Sequence, residues 1–232
     1  MSLVFAPPAA ATVPVDGGGS FPVHRIYCVG RNYAEHAVEM GHTGREPPFF
    51  FLKPADALVP VADNTVGEIP YPPLTANLHH EIELVVAIGT GGRNIAAADA
   101  ARHIWGYAIG LDMTRRDLQN EMKKQGRPWC IGKGFDESAP IGPLVPIGRT
   151  GALTSGAITL AVNGVQRQKG DLSELIWNVA ETIETLSRAW TLQPGDLIYT
   201  GTPAGVGAVV PGDVMEGSIA GLGTLKVRIR PA

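Results

Sequence analysis

The stretch His79-His80-Glu81-Ile82-Glu83-Leu84-Val85-Val86-Ala87-Ile88, closed by Gly89, decides how the rest of this sequence is read. Its aliphatic and β-branched content makes it the strongest strand signal in the chain. Side chains alternate across a strand, so Glu81 and Glu83 project from one face while Ile82 and Leu84 project from the other. Two carboxylates side by side on one face repel unless a cation or solvent lies between them, and the apolar neighbours argue against a wet face. Taken alone, the pair also fits a plain solvated strand.

Working outward, Arg25 to Val29 reads as a short strand and Phe49 to Lys53 as a buried strand stopped by Pro54. Between them, Asn32 can cap a helix, with Glu35 three residues on as in a capping box and Gly41 at its end, giving about two turns. Downstream, Ala96 to His103 predicts a helix and Ile104 to Met113 a strand. Thr114 and Asp117 start a polar helix that runs to about Gln125. Asn163-Gly164, between Ile158–Val162 and Val165–Gln168, marks a tight hairpin. Asn178 to Trp190 is an amphipathic helix with Glu181 completing a capping box. In the final strand Leu225, Val227 and Ile229 face inward while Lys226, Arg228 and Arg230 face out. These elements predict an α+β, strand-dominated domain over residues 21–232, with residues 1–20 as an extended lead-in.

Composition agrees with many turns and short strands: 29 Gly and 19 Pro in 232 residues, 44% hydrophobic and 18% charged. A net charge of −3 without a basic stripe argues against a nucleic-acid surface. No run of 18 apolar residues exists to span a membrane. The two cysteines, Cys28 and Cys130, form no C-x-x-C pair, so a disulfide framework is not expected and a reducing cytoplasm is the expected setting.

A third acid, Asp112, ends the apolar run Tyr107 to Leu111, where a buried carboxylate again needs a partner. Three carboxylates favour a hard divalent cation, Mg²⁺, Mn²⁺ or Ca²⁺, over zinc. The alternative is that Asp112 merely leads into the polar helix. His36 and Glu39 stand three apart on the short helix and share a face, as a water-activating pair does, although many exposed helices carry such a pair. Lys133, in Ile131-Gly132-Lys133-Gly134, can reach a cavity or lie on the surface. Arg116, Gln119 and Lys123 fall on one stripe of the polar helix, and Thr200-Gly201-Thr202-Pro203 is a turn able to offer donors to an anion.

The order and wording of Val29-Gly30-Arg31-Asn32-Tyr33-Ala34-Glu35-His36, Phe51-Leu52-Lys53-Pro54, His80-Glu81-Ile82-Glu83-Leu84, Gly110-Leu111-Asp112-Met113-Thr114 and Tyr199-Thr200-Gly201-Thr202-Pro203 resemble the fumarylacetoacetate hydrolase family over residues 21–230. The resemblance implies a mixed β-roll or sandwich, a homodimer, and a metal-dependent hydrolase that cuts a carbon–carbon bond in a 2,4-diketo acid, with fumarylpyruvate the expected substrate. It implies that Glu81, Glu83 and Asp112 hold Mg²⁺ or a similar ion. It further implies that His36 and Glu39 activate water, that Lys133 lies beside metal and substrate, and that Arg31, Gln119 and Thr202 line the pocket. The diacid's charge must be offset, and Lys133, Arg31 and Arg116 are the candidate cations. Oxaloacetate decarboxylation and acylpyruvate hydrolysis are alternatives on the same site, as is a silent metal-binding protein. Cys130 departs from the expected pattern.

Overall fold

The computed structural model describes residues 3–33 and 45–232, and these fold mainly as strands. In chain order, β1 (Thr12–Pro14) pairs with β2 (Ser20–Pro22), within and just after the predicted lead-in. Next come β3 (Ile26–Gly30), β4 (Phe49–Lys53), β5 (Leu58–Pro60), β6 (Val66–Pro70), β7 (Leu78–His80) and β8 (Ile82–Ile88). The helix expected at Ala96–His103 forms as a 3₁₀ helix over Ala97–His103 and leads into β9 (Ile104–Leu111) and β10 (Thr114–Arg115). Helices α1 (Arg116–Lys124) and α2 (Cys130–Lys133) precede β11 (Ala139–Ile141), β12 (Val145–Pro146) and α3 (Ile147–Thr150). The hairpin β13 (Ala157–Val162) and β14 (Val165–Asp171) is followed by α4 (Val179–Ala189), β15 (Leu197–Tyr199), β16 (Gly207–Val209), β17 (Val214–Ile219) and β18 (Gly223–Arg230).

The largest sheet runs β4-β3-β15-β8-β9-β11-β5, with β12 added beside β9. A second sheet runs β14-β13-β17-β18-β6, and a short one β10-β7-β16. Parallel pairs (β3 with β15, β5 with β11, β6 with β18) mix with antiparallel ones, as in the mixed β-roll that the resemblance implied. Every residue of β8 is buried, because both faces of the strand are covered. Ile82, Leu84, Val86 and Ile88 enter a core shared with Ile158, Leu160, Met215, Leu225 and Val227 of the second sheet. Val85 and Ala87 point the opposite way, into a core with Ile26, Cys28, Leu197 and Tyr199. Glu81 and Glu83 share that second side by the strand's two-residue period.

Local signals account for several boundaries. Asn163 (φ 50°) and Gly164 (φ 78°) both take the left-handed conformation a two-residue hairpin turn needs. The Asn178 side chain accepts from Glu181 N–H, and Glu181 reaches back to Asn178 N–H, so the predicted capping box is formed. The box predicted from Thr114 and Asp117 is not. The α1 cap is Arg115 without a side-chain bond, Thr114 Oγ1 donates to Asp112 O, and Asp117 accepts from Thr75 Oγ1 and Ala76 N–H. The buried strand predicted at Phe49–Lys53 is instead an edge strand with Phe49 and Leu52 exposed and only Lys53 buried. Its aromatics rest on tryptophans in edge-to-face or tilted contacts, Phe49 and Phe51 on Trp129 and Phe50 on Trp190. The helix predicted after Asn32 lies outside the described residues. Asn32 itself is spent elsewhere, donating to Thr200 O and Trp177 O and accepting from Trp177 N–H.

Candidate active site

The antiparallel register of β8 and β9 sets Ile82 opposite Leu111 and Glu83 opposite Gly110. One residue further, Asp112 N–H donates to Glu81 O at 2.8 Å, so the ladder itself brings the two acids together as the strands end. Carboxylate oxygens of Glu81, Glu83 and Asp112 lie within 4.8 Å of one another, and all three residues are buried. Oε2 of Glu83 accepts from the N–H of Gly201, in the turn just past β15, at 2.7 Å.

Cations surround this cluster. Lys133 Nζ lies 2.7 Å from Glu81 Oε2 and 2.6 Å from Asp112 Oδ2 and is buried. Gly132 lets it get there: a Cβ at that position would stand 2.9 Å from Gln119 N, so only glycine allows α2 to lie this close to α1. Arg116 pairs with the other oxygen of Glu81 and donates to Gln119 Oε1 at 2.6 Å. Lys53, at the end of β4, is the residue that sequence reasoning passed over. Its Nζ lies 2.8 Å from Asp112 Oδ1, donates to Met113 O at 3.1 Å, and also bonds Lys133 O. A lysine closing an otherwise apolar strand just before Pro54 was the available signal.

Electrostatics match this geometry. Burial, with Asp112 and Glu81 close by, drives the Glu83 carboxyl well above its ordinary value. Burial alone would neutralise Lys133, yet Asp112 and Glu81 together hold its ammonium above the usual lysine range. Burial and the Arg116 guanidinium lower His79 to about 4. Asp112 Oδ1 is ion-paired with Lys53 at 2.8 Å, yet among the described residues it accepts no hydrogen bond. An acceptor so placed, beside a carboxylate that resists ionising, is what a hard divalent cation would relieve, and the all-oxygen donor set suits Mg²⁺ or Mn²⁺. The residues therefore fit such an ion.

Of the residues expected from sequence, Glu81, Glu83, Lys133, Arg116, Gln119, Thr202 and Arg31 all line one cavity of about 20 Å³, room for a single ion or water-sized particle. Asp112 joins them through its contacts with Lys133 and Lys53. Arg31 (φ 56°) sets its guanidinium over the rings of Phe49 and Trp129, 5.3 and 5.9 Å away, and burial lowers its pKa. Lys123 is exposed, so the stripe expected on α1 shrinks to Arg116 and Gln119. His36 and Glu39 lie outside the described residues. A wider cleft of about 660 Å³ lies between the 3₁₀ helix and α4. Alanines and aliphatic side chains dominate its walls and among the described residues no acid cluster enters it, so chemistry rather than volume selects the small cavity.

Known proteins share the sequence and the fold of this chain. Residues 25–230 match the family described as fumarylacetoacetate (FAA) hydrolase C-terminal. Fumarylpyruvate hydrolase of Ralstonia sp is 46% identical over 187 residues, 81% of this chain and 95% of the relative. A mitochondrial oxaloacetate decarboxylase of Dictyostelium discoideum is 40% identical over 200 residues, 86% of this chain and 90% of that one. The crystal structure of fumarylpyruvate hydrolase from Pseudomonas aeruginosa in complex with Mn²⁺ and pyruvate is 57% identical and superposes with a TM-score of 0.98, covering 100% of both chains. This chain belongs to the fumarylacetoacetate hydrolase family.

Proposed function

We propose that this protein hydrolyses the carbon–carbon bond of a 2,4-diketo acid, fumarylpyruvate, giving fumarate and pyruvate. One observation carries the reading. Glu81, Glu83 and Asp112 converge in a buried pocket with Lys133 between two of them, in a chain 57% identical to a fumarylpyruvate hydrolase solved with Mn²⁺ and pyruvate.

The three acids would hold a divalent ion, Mg²⁺ by our proposal, which supplies Lewis acidity toward the 2-oxo acid end of the substrate. Arg116 and Arg31 offset the substrate's two carboxylates, while Gln119 and Thr202 position its polar oxygens. His36, oriented by Glu39, takes a proton from water as the oxygen attacks the C4 carbonyl. The C3–C4 bond then breaks, its electron pair passes to the pyruvate half as an enolate, and the Lys133 ammonium faces the growing negative charge. Protonation at C3 completes pyruvate. A homodimer and a reducing cytoplasm complete the proposal, the latter supported by two unpaired cysteines, Cys28 buried and Cys130 exposed. Among the described residues no helix is long and apolar enough to cross a membrane.

A second reading, oxaloacetate decarboxylation, is favoured by the 40% identity to the Dictyostelium enzyme. Two variants separate them. His36→Ala should lower fumarylpyruvate hydrolysis by ~10²–10⁴, the usual contribution of a positioned base, and largely spare a decarboxylation that needs no activated water. Asp112→Asn and EDTA should each depress both reactions. Equal loss of both activities in His36→Ala would remove the water-activating role of the histidine.

A further inference from the structure

Gln168, on β14, is fully buried, and each hydrogen-bonding position of its amide has a partner. Oε1 lies 3.1 Å from Ile82 N, a group that can only donate, so the orientation of the amide is settled. Nε2 lies 2.8 Å from Pro203 O, a group that can only accept, which agrees. It follows that His80 Nδ1, 2.9 Å from Oε1, carries a proton and donates it. The remaining amide proton goes to Thr202 Oγ1 at 2.7 Å. A hydroxyl that accepts from an amide keeps its own proton to give, and among the described residues no acceptor takes it. Thr202 is buried and lines the cavity of the three acids.

The contact depends on an unusually close approach of β14 to the 200–205 turn. A Cβ at Gly205 (φ 90°) would stand 2.1 Å from Arg167 O, so no other residue permits this spacing. The close approach puts the Gln168 amide within reach of Thr202 and Pro203 while its other end holds β8 one residue after Glu81.

We infer that Gln168 is a positioning residue, locking Thr202 as a hydrogen-bond donor aimed at an anionic oxygen of the bound 2-oxo acid. The amide takes a lone pair of the hydroxyl and thereby turns its proton to the cavity. The same amide ties this donor to the strand that carries Glu81 and Glu83, so the anion's seat and the acid cluster keep a fixed separation. This inference rests on the proposed binding of a 2-oxo acid in the cavity.

The test is a double-mutant cycle with Gln168→Met and Thr202→Val in the Mn²⁺-loaded protein. Loss of a hydrogen bond to a charged group should raise KM for fumarylpyruvate about 10- to 100-fold in each single variant, with kcat within about threefold. The double variant should be no worse than Thr202→Val alone, because Gln168 acts through Thr202. Multiplying effects, or an unchanged KM in Thr202→Val, overturn the inference. If Gln168→Met fails to fold, Gln168→Glu keeps an acceptor for the Ile82 N–H. Its carboxylate draws the Thr202 proton to itself, so KM should rise in the same way, and an unchanged KM refutes the positioning role. Calorimetric titration of pyruvate separates failure here from failure of the proposed reaction. Affinity should fall about 10- to 100-fold in Thr202→Val and stay within about threefold in Thr202→Ser, whether or not fumarylpyruvate is the substrate. Equal affinity in wild type and Thr202→Val overturns the inference.

Discussion

Lys53→Met is the sharpest test of how the buried charges are balanced. Around the site Glu81, Glu83 and Asp112 face Lys53, Lys133 and Arg116, and the side chains of Lys53 and Asp112 are both 0% exposed. Methionine keeps most of the volume but leaves three acids against two cations, with Asp112 Oδ1 stripped of the cation beside it. Breaking a buried pair by removing one partner costs about 3–5 kcal/mol. For a domain of this size, with about 2–4 °C per kcal/mol, the melting temperature in EDTA should fall by roughly 6–20 °C. A divalent ion restores the missing positive charge, so saturating Mn²⁺ should close at least about half of that gap, and the variant should bind Mn²⁺ more tightly than wild type. Scanning calorimetry on both proteins, with EDTA and with Mn²⁺, reads this directly. A deficit of the same size in both conditions would show that Lys53 only supports the local fold and is not coupled to the cation site.

Two further outcomes follow from residues outside the acid cluster. His79, lowered to about 4 by burial and Arg116, and His80, lowered mainly by burial, are held neutral in the fold. The unfolded chain binds the extra protons, so the contribution of His79 is complete above about pH 6.5 and is lost as pH falls toward 4, and His80 weakens in the same direction below about pH 6.5. Melting temperature in EDTA should drop across that window, and His79→Gln should flatten the drop; an unchanged slope would refute the assignment. Asn178→Ala removes the N-cap of α4 and should cost about 1 kcal/mol, lowering the melting temperature by about 2–4 °C with kcat/KM unchanged.

What could be read from sequence were features decided by neighbours in the chain. Asn163-Gly164 turned because both residues tolerate positive φ, the Asn178–Glu181 box closed within one helical turn, and Leu225, Val227 and Ile229 faced inward by strand alternation. The carboxylates were legible for a related reason, since two of them share one strand face and Asp112 ends the strand that pairs with it. Phe49–Lys53 misled because an apolar run signals burial, whereas its position at a sheet edge depends on partners far along the chain. A lysine closing an apolar strand hints at Lys53, but its partners Met113 and Lys133 lie far along the chain, and the bond of Gln168 to His80 spans 88 residues, so no local pattern names these contacts. Thr114 and Asp117 had the right spacing for a cap, but each found a competing partner.

The placement of the acids at the ends of β8 and β9 has a consequence for how such a protein can change. The strands that carry the acids are pinned on both faces by packed cores, so substitutions there are filtered by stability before chemistry is affected. Arg31, just past β3, Gln119, in α1, and Thr202, just past β15, lie outside β8 and β9, so exchanging one of them leaves the pairing of those two strands in place. Such a division lets the three acids stay fixed while the side chains proposed to contact the substrate drift. New specificities on this scaffold should therefore arise from few substitutions, most of them outside the central sheet.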